Sequence, residues 1–182
     1  MQNTKIKAVI ALIALFVVTG LASGAVPTAP PDKEGPDLPS PLCDRLRVPE
    51  GNTLAFHVYA DGAQIYKWDG ATWVFVEPAA TLFANPGNDG KVGVHYRGPT
   101  WASNSGSTVV GARLFGCTPD PTAIPWLLLE AVSTGGPGIF SSVTYIQRVN
   151  TTGGTAPAVP GSAIGETIEV PYTAEYYFYR EQ

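Results

Sequence analysis

Histidine, cysteine and methionine are almost missing from this chain: 182 residues hold two His, two Cys and one Met, and only 14% are charged. With two histidines, any acid–base or metal chemistry built on imidazole falls to His57 and His95. Cations are few as well. Eleven Lys and Arg stand against fifteen Asp and Glu, with no cationic run. That argues against nucleic acid as a partner, because such binding rests on clustered cations that neutralise phosphates. No uncharged apolar stretch reaches the roughly 20 residues that span a bilayer. No Gly-x-Gly-x-x-Gly motif opens a helix: Gly87, Gly90 and Gly93, and Gly135, Gly136 and Gly138, have other spacings, and no cofactor is implied. Ser103, Ser105 and Ser107 have only Gly106 beside them and form no nucleophile elbow. The acids, without geometry, single out no carboxylate pair for glycoside hydrolysis.

What is present begins with an export pattern. Lys5 and Lys7 precede an apolar run from Ala8 to Val18 and a small-residue stretch ending at Ala25, which predicts a signal peptide over 1–25. The stretch Ala8 to Leu21 is too short for an anchor, and Ser40-Pro41-Leu42 before Cys43 lacks the small residues of a lipoprotein site. The expected product is a secreted protein with no membrane span after cleavage, extracellular, or periplasmic in a Gram-negative source. Losing Lys5 and Lys7 takes its net charge from −4 to −6. Six prolines between Val26 and Leu42 predict a disordered spacer over 26–42, followed by a single β domain over 43–182. In an oxidising compartment Cys43 and Cys117 are expected to pair.

Beyond Cys43, Gly and Pro punctuate short runs rich in Val, Ile, Tyr, Phe and Trp at intervals of about ten residues, an all-β signature. Strands are predicted at 91–96, 108–115, 126–133, 143–149, 167–170 and 174–180. With those near 54–76 they total eight or nine and predict an antiparallel β-sandwich or closed β-barrel. Asp61-Gly62 and Asp69-Gly70 separate alternating segments and predict two tight hairpins. In that register Tyr59, Gln64 and Phe75, then His57, Tyr66 and Trp73, then Ala55, Trp68 and Ala71 form rows on one face. A second buried layer, a barrel lumen and an open binding surface all fit that aromatic face.

The candidate ligand residues are therefore His57, Tyr59, Gln64, Tyr66, Trp68, Trp73 and Phe75. His95, Trp101, Asn104 and Ser105 join them from a strand that runs into a glycine-rich loop. His57, His95 and Glu130 are the only metal ligands worth naming, without a ligand-spacing signature. Asn150-Thr151-Thr152 is an N-glycosylation acceptor, relevant to a eukaryotic source.

The strings Leu54-Ala-Phe-His57, Gln64-Ile-Tyr-Lys-Trp-Asp-Gly70, His95-Tyr-Arg-Gly-Pro-Thr-Trp101, Ile124-Pro-Trp-Leu-Leu-Leu129, Tyr145-Ile-Gln-Arg148, Thr152-Gly-Gly-Thr-Ala-Pro157 and Pro171 to Tyr179 resemble a family of secreted bacterial and fungal proteins classed as domain of unknown function 3455. The resemblance spans about Asp44 to Arg180 and implies no activity, substrate or catalytic residue. Some members bear the label malate dehydrogenase, which this sequence does not support, lacking a dinucleotide fingerprint and alternating strands and helices.

Three functions are compatible with these residues. The first is a non-enzymatic exported binding or surface-associated module whose aromatic face meets a glycan, another envelope component or a small molecule. The second is an extracellular enzyme, metal-assisted, with His57, His95, Tyr66, Glu130 and Arg148 in one pocket; it requires the histidines to be neighbours. The third is a structural or stress-related envelope protein without a ligand.

Overall fold

The computed structural model describes residues 34–182; the expected signal peptide and the start of the proline-rich segment lie outside the described residues. A single 3-10 turn, Asp44–Leu46, precedes eight strands. These are β1 (Asn52–Trp68), β2 (Trp73–Asn85), β3 (Asp89–Tyr96), β4 (Thr100–Ser103), β5 (Thr108–Cys117), β6 (Trp126–Gly135), β7 (Tyr145–Gly153) and β8 (Thr167–Glu181). Each pairs antiparallel with the next, and β8 pairs with β1, so the sheet closes into a barrel in simple chain order. Closure leaves no open edge to recruit another strand. Of the two architectures expected, the closed barrel is the one formed.

The interior follows the two-residue period of a strand. In β8 the alternate residues Tyr172, Ala174, Tyr176 and Phe178 are all buried, and they meet Val58 and Ala60 of β1, Leu82 of β2 and Ile146 of β7. Phe140, from the β6–β7 connection, tilts against Phe56 and Phe178 and fills one end of the barrel. Each large side chain buried in this way contributes about 1.5–3 kcal/mol. A second, smaller cluster lies outside the wall. There Leu46, Leu128 and the disulfide Cys43–Cys117 are buried, with Leu38 packed on them from the end of the proline-rich segment. The cysteine pairing is as expected.

The first predicted hairpin does not form. Asp61 and Gly62 lie in mid-strand in the 17-residue β1, and neither has the positive φ a tight turn of that type demands. Gly62 serves close packing instead. A Cβ there would strike the Ala79 carbonyl oxygen and the Ala80 backbone of β2. Gly62→Ala is therefore expected to destabilise the fold by about 1–3 kcal/mol, read from denaturant midpoints. A variant as stable as the parent would show that the two strands part without cost.

The second Asp-Gly does lie between strands, but the connection is a four-residue loop, Asp69 to Thr72, in which the Asp69 carboxylate accepts the amides of Ala71 and Thr72 at 2.8 Å. Trp68 is consequently opposite Trp73, and Tyr66 opposite Phe75. These corrections undo the single aromatic face. In a continuous β1, residues of odd and even number look to opposite sides. Gln64, Tyr66 and Trp68 are buried on the even-numbered side shared with the core residues Val58 and Ala60, whereas His57 and Tyr59 lie on the outer surface. Two further differences are local. Thr100–Ser103, expected to be loop, forms β4, and the segments 167–170 and 174–180 are one strand running through Pro171.

Candidate functional site

One end of the barrel is filled by Phe140; the other is open. The open end is where β1, β3, β5 and β7 finish and β2, β4, β6 and β8 begin, and it holds a cavity of about 630 Å³. That volume lies within the range of small-molecule sites, which are concave and mostly apolar with a few polar groups. Apolar lining comes from Phe75 and Pro78 of β2, Leu127 and Leu129 of β6, and Ile124 just before β6. All eight strands contribute at least one residue.

The floor is aromatic. His95 stacks on Trp101 at 4.3 Å between ring centres, and Tyr176 meets both edge-on at 5.2 and 5.3 Å. Trp101 is 1% exposed and Tyr176 fully buried. Gly111 makes room for the indole, since a Cβ at that position would lie 3.1 Å from its ring. The layer beneath is Phe178, edge-on to Trp101 at 6.0 Å.

Polar atoms are set into this floor. His95 Nδ1 is 2.9 Å from the Thr100 carbonyl, so that nitrogen carries the proton and donates it, leaving Nε2 as an acceptor. Burial lowers the His95 pKa to about 3, and the nearby Arg148 charge pushes the same way against the Thr100 bond. The ring is thus neutral at physiological pH. Gln64 Nε2 and Trp101 Nε1 are buried without a hydrogen-bond partner among the described residues, and the buried Tyr176 hydroxyl lies beside the Tyr172 hydroxyl and the Arg148 guanidinium. Burial raises the Tyr176 pKa, with Arg148 opposing, so its hydroxyl keeps its proton. Arg148 reaches in from β7, where its Nε and Nη2 donate to the Pro125 carbonyl at 3.1 and 2.8 Å.

The β7–β8 connection packs on the rim. Tyr66 Oη donates to the Gly154 carbonyl at 2.7 Å, and Trp73 Nε1 to that of Val159 at 2.8 Å. Trp68 occupies the space that a side chain at Gly161 would need. Trp68 and Trp73 therefore hold a loop, with Trp68 buried and Trp73 half-buried. Phe75, 50% exposed, stands edge-on to Tyr66 at the entrance.

The remaining candidates lie elsewhere. His57 is on the outer wall, stacked on Tyr177 at 4.1 Å beside Tyr59, with Nε2 2.9 Å from Glu175 Oε2. Burial lowers its pKa, and Glu175 offsets this in part. His57 and His95 thus occupy opposite sides of the barrel wall, and Glu130 is exposed on the outside of β6. No group of three or more His, Cys, Asp or Glu suited to a metal ion occurs among the described residues. Asn104 and Ser105 form the β4–β5 turn at the filled end, where Asn104 Nδ2 donates to the Lys91 carbonyl at 2.7 Å. Asn150 is exposed and donates to Glu175 Oε1 at 3.1 Å.

Gln64, Tyr66, Phe75, His95, Trp101 and Arg148 are brought together in the pocket. Tyr176 was missed, although reading 167–181 as one alternating strand would have placed it beside Tyr172 and Phe178. Leu127, Leu129 and Pro78 carry no signal beyond strand alternation.

Fold and site together define a closed, antiparallel β-barrel with an internal pocket at its open end. Residues 49–180 match the family described as "Protein of unknown function (DUF3455)", and the chain belongs to that family. No curated protein and no solved structure matches it.

Proposed function

We propose that the domain is a binding protein that takes one small, largely apolar molecule with a polar end into the open end of its barrel. The observation that carries this reading is the pocket of about 630 Å³, lined mainly by apolar and aromatic side chains with Arg148 among them. Binding is favoured over acid–base catalysis because His95, the imidazole in the pocket, is a poor base with its pKa lowered to about 3. Of the aromatic residues of β1 and β2, Tyr66 and Phe75 then line a barrel lumen rather than an open sheet face.

Secretion fits this reading. A disulfide persists in oxidising surroundings, and no helix among the described residues is long and apolar enough to cross a membrane.

The test is titration with N-phenyl-1-naphthylamine, a neutral apolar dye whose emission rises out of water. One dye per chain is expected, with micromolar affinity, quenching tryptophan emission. Leu127→Trp, which narrows the pocket, should weaken it at least tenfold while the thermal unfolding transition stays cooperative. Dye that fails to saturate, or that ignores Leu127→Trp, would refute the pocket as the binding site.

A further inference from the structure

We propose that the polar end of the ligand is a carboxylate, and that Arg148 is its anchor in a site for amphipathic monocarboxylic acids. This inference rests on the pocket reading above and adds the ligand's charge.

The lining holds two guanidinium groups, Arg148 within and Arg113 at the rim, and no Asp or Glu. Composition does not explain that bias, since acids outnumber cations across the chain, fifteen to eleven. Ion pairs elsewhere join Arg47 to Asp44 and Arg97 to Glu77, whereas Arg148 meets no carboxylate among the described residues. Its Nε and Nη2 donate to one neutral carbonyl, that of Pro125, which orients the guanidinium but leaves its charge uncompensated. A partly buried cation in apolar surroundings is costly until a counter-charge arrives.

The neutral groups point the same way. Beside the guanidinium lie the Pro125 carbonyl and the Tyr176 hydroxyl, and neither carries a counter-charge. A guanidinium with only uncharged neighbours suits a group that only accepts, and an ionised carboxylate does this with two oxygens. A sugar, carrying as many hydroxyl donors as acceptors and no charge, matches a lone guanidinium less well. The apolar side chains above the floor would take the hydrocarbon part, and Arg113 stands where a second charge would meet an entering anion.

The experiment compares dodecanoate with dodecanol, equal in chain length, as competitors for bound N-phenyl-1-naphthylamine, below the micellar range of the acid and at neutral pH. In the native protein dodecanoate should bind about 10-fold or more tightly than dodecanol, the size expected of a charge-assisted contact. The ratio of the two affinities, read within each variant, should fall to near 1 in Arg148→Gln and recover in part in Arg148→Lys. Equal affinities in the native protein would overturn the carboxylate assignment while leaving the pocket intact, as would a ratio that survives Arg148→Gln. Dye that does not bind at all would instead remove the pocket reading on which the assignment stands.

Discussion

Lowering the pH from 7.5 to 4.5 is expected to reduce the unfolding free energy by about 2–3 kcal/mol through His95 alone. The sign follows from linkage. His95 has an ordinary pKa near 6.5 in the unfolded chain and about 3 in the folded barrel, where burial resists its charge. Between those values the unfolded state binds the proton and the folded state does not. The stabilisation is therefore complete above the unfolded value and is lost as the pH falls toward the folded one. His57 is also lowered by burial and adds a contribution of the same sign. The exposed acids Asp69, Asp120 and Glu166, held down by local hydrogen bonds, begin to lose theirs only near their ordinary carboxylate values, so the upper part of the window, from 7.5 to about 5.5, isolates the imidazoles. Urea titrations across that window should show a clear slope in the native protein and a shallower one in His95→Gln. Equal slopes would mean that His95 takes up its proton in the folded barrel as readily as in the unfolded chain.

The disulfide carries the other large effect. Cys43 and Cys117 are 74 residues apart, and closing a loop of that size is worth about 4–5 kcal/mol in the chain-entropy model. Domains of this kind are stable by only about 5–15 kcal/mol, so the bond is a large share of the whole. Geometry adds to entropy here. The bond pins the turn at Asp44–Leu46 to the end of β5; Gln147 Nε2 donates to the Leu46 carbonyl at 2.6 Å, and Tyr179 Oη donates to Gln147 Oε1 at 2.6 Å. Cys43→Ala with Cys117→Ala should lower the guanidinium unfolding free energy by roughly that amount, and dithiothreitol should do the same to the native protein. A native protein indifferent to reductant would rule out a structural bond.

What could be read in advance was whatever neighbouring residues decide. Strand periodicity and Gly and Pro spacing placed most of the strands, and export logic paired the cysteines. Asp61-Gly62 misled because a hairpin signal is local, while the choice between a turn and a long strand is made by partners remote in the chain: β1 continues through that dipeptide because β8 runs beside it from Asn52 to Lys67. That one substitution of strand for turn reversed the side on which His57 and Tyr59 lie, and so divided the proposed aromatic face. β4 escaped notice because four residues show too little alternation, and Pro171 hid the unity of β8. The pocket draws on all eight strands, so its membership becomes visible only when register is known. Arg148 is legible in sequence only as a member of the enzyme pocket, because nothing local shows that it enters an apolar lumen without a carboxylate.

The seam between β1 and β8 also governs how the molecule must come into being. Its ladder runs from Asn52 opposite Glu181 to Lys67 opposite Thr167, joining the first strand to the last. A nascent chain that stops before Thr167 can zip β1 through β7 as a meander but cannot close it, and both outer strands stay bare. Closure of the barrel is thereby tied to the arrival of Thr167–Glu181, and the search for this most distant pairing makes folding slow compared with a helical domain of similar length. Until the last strand arrives, the half-made barrel is a template for its own aggregation.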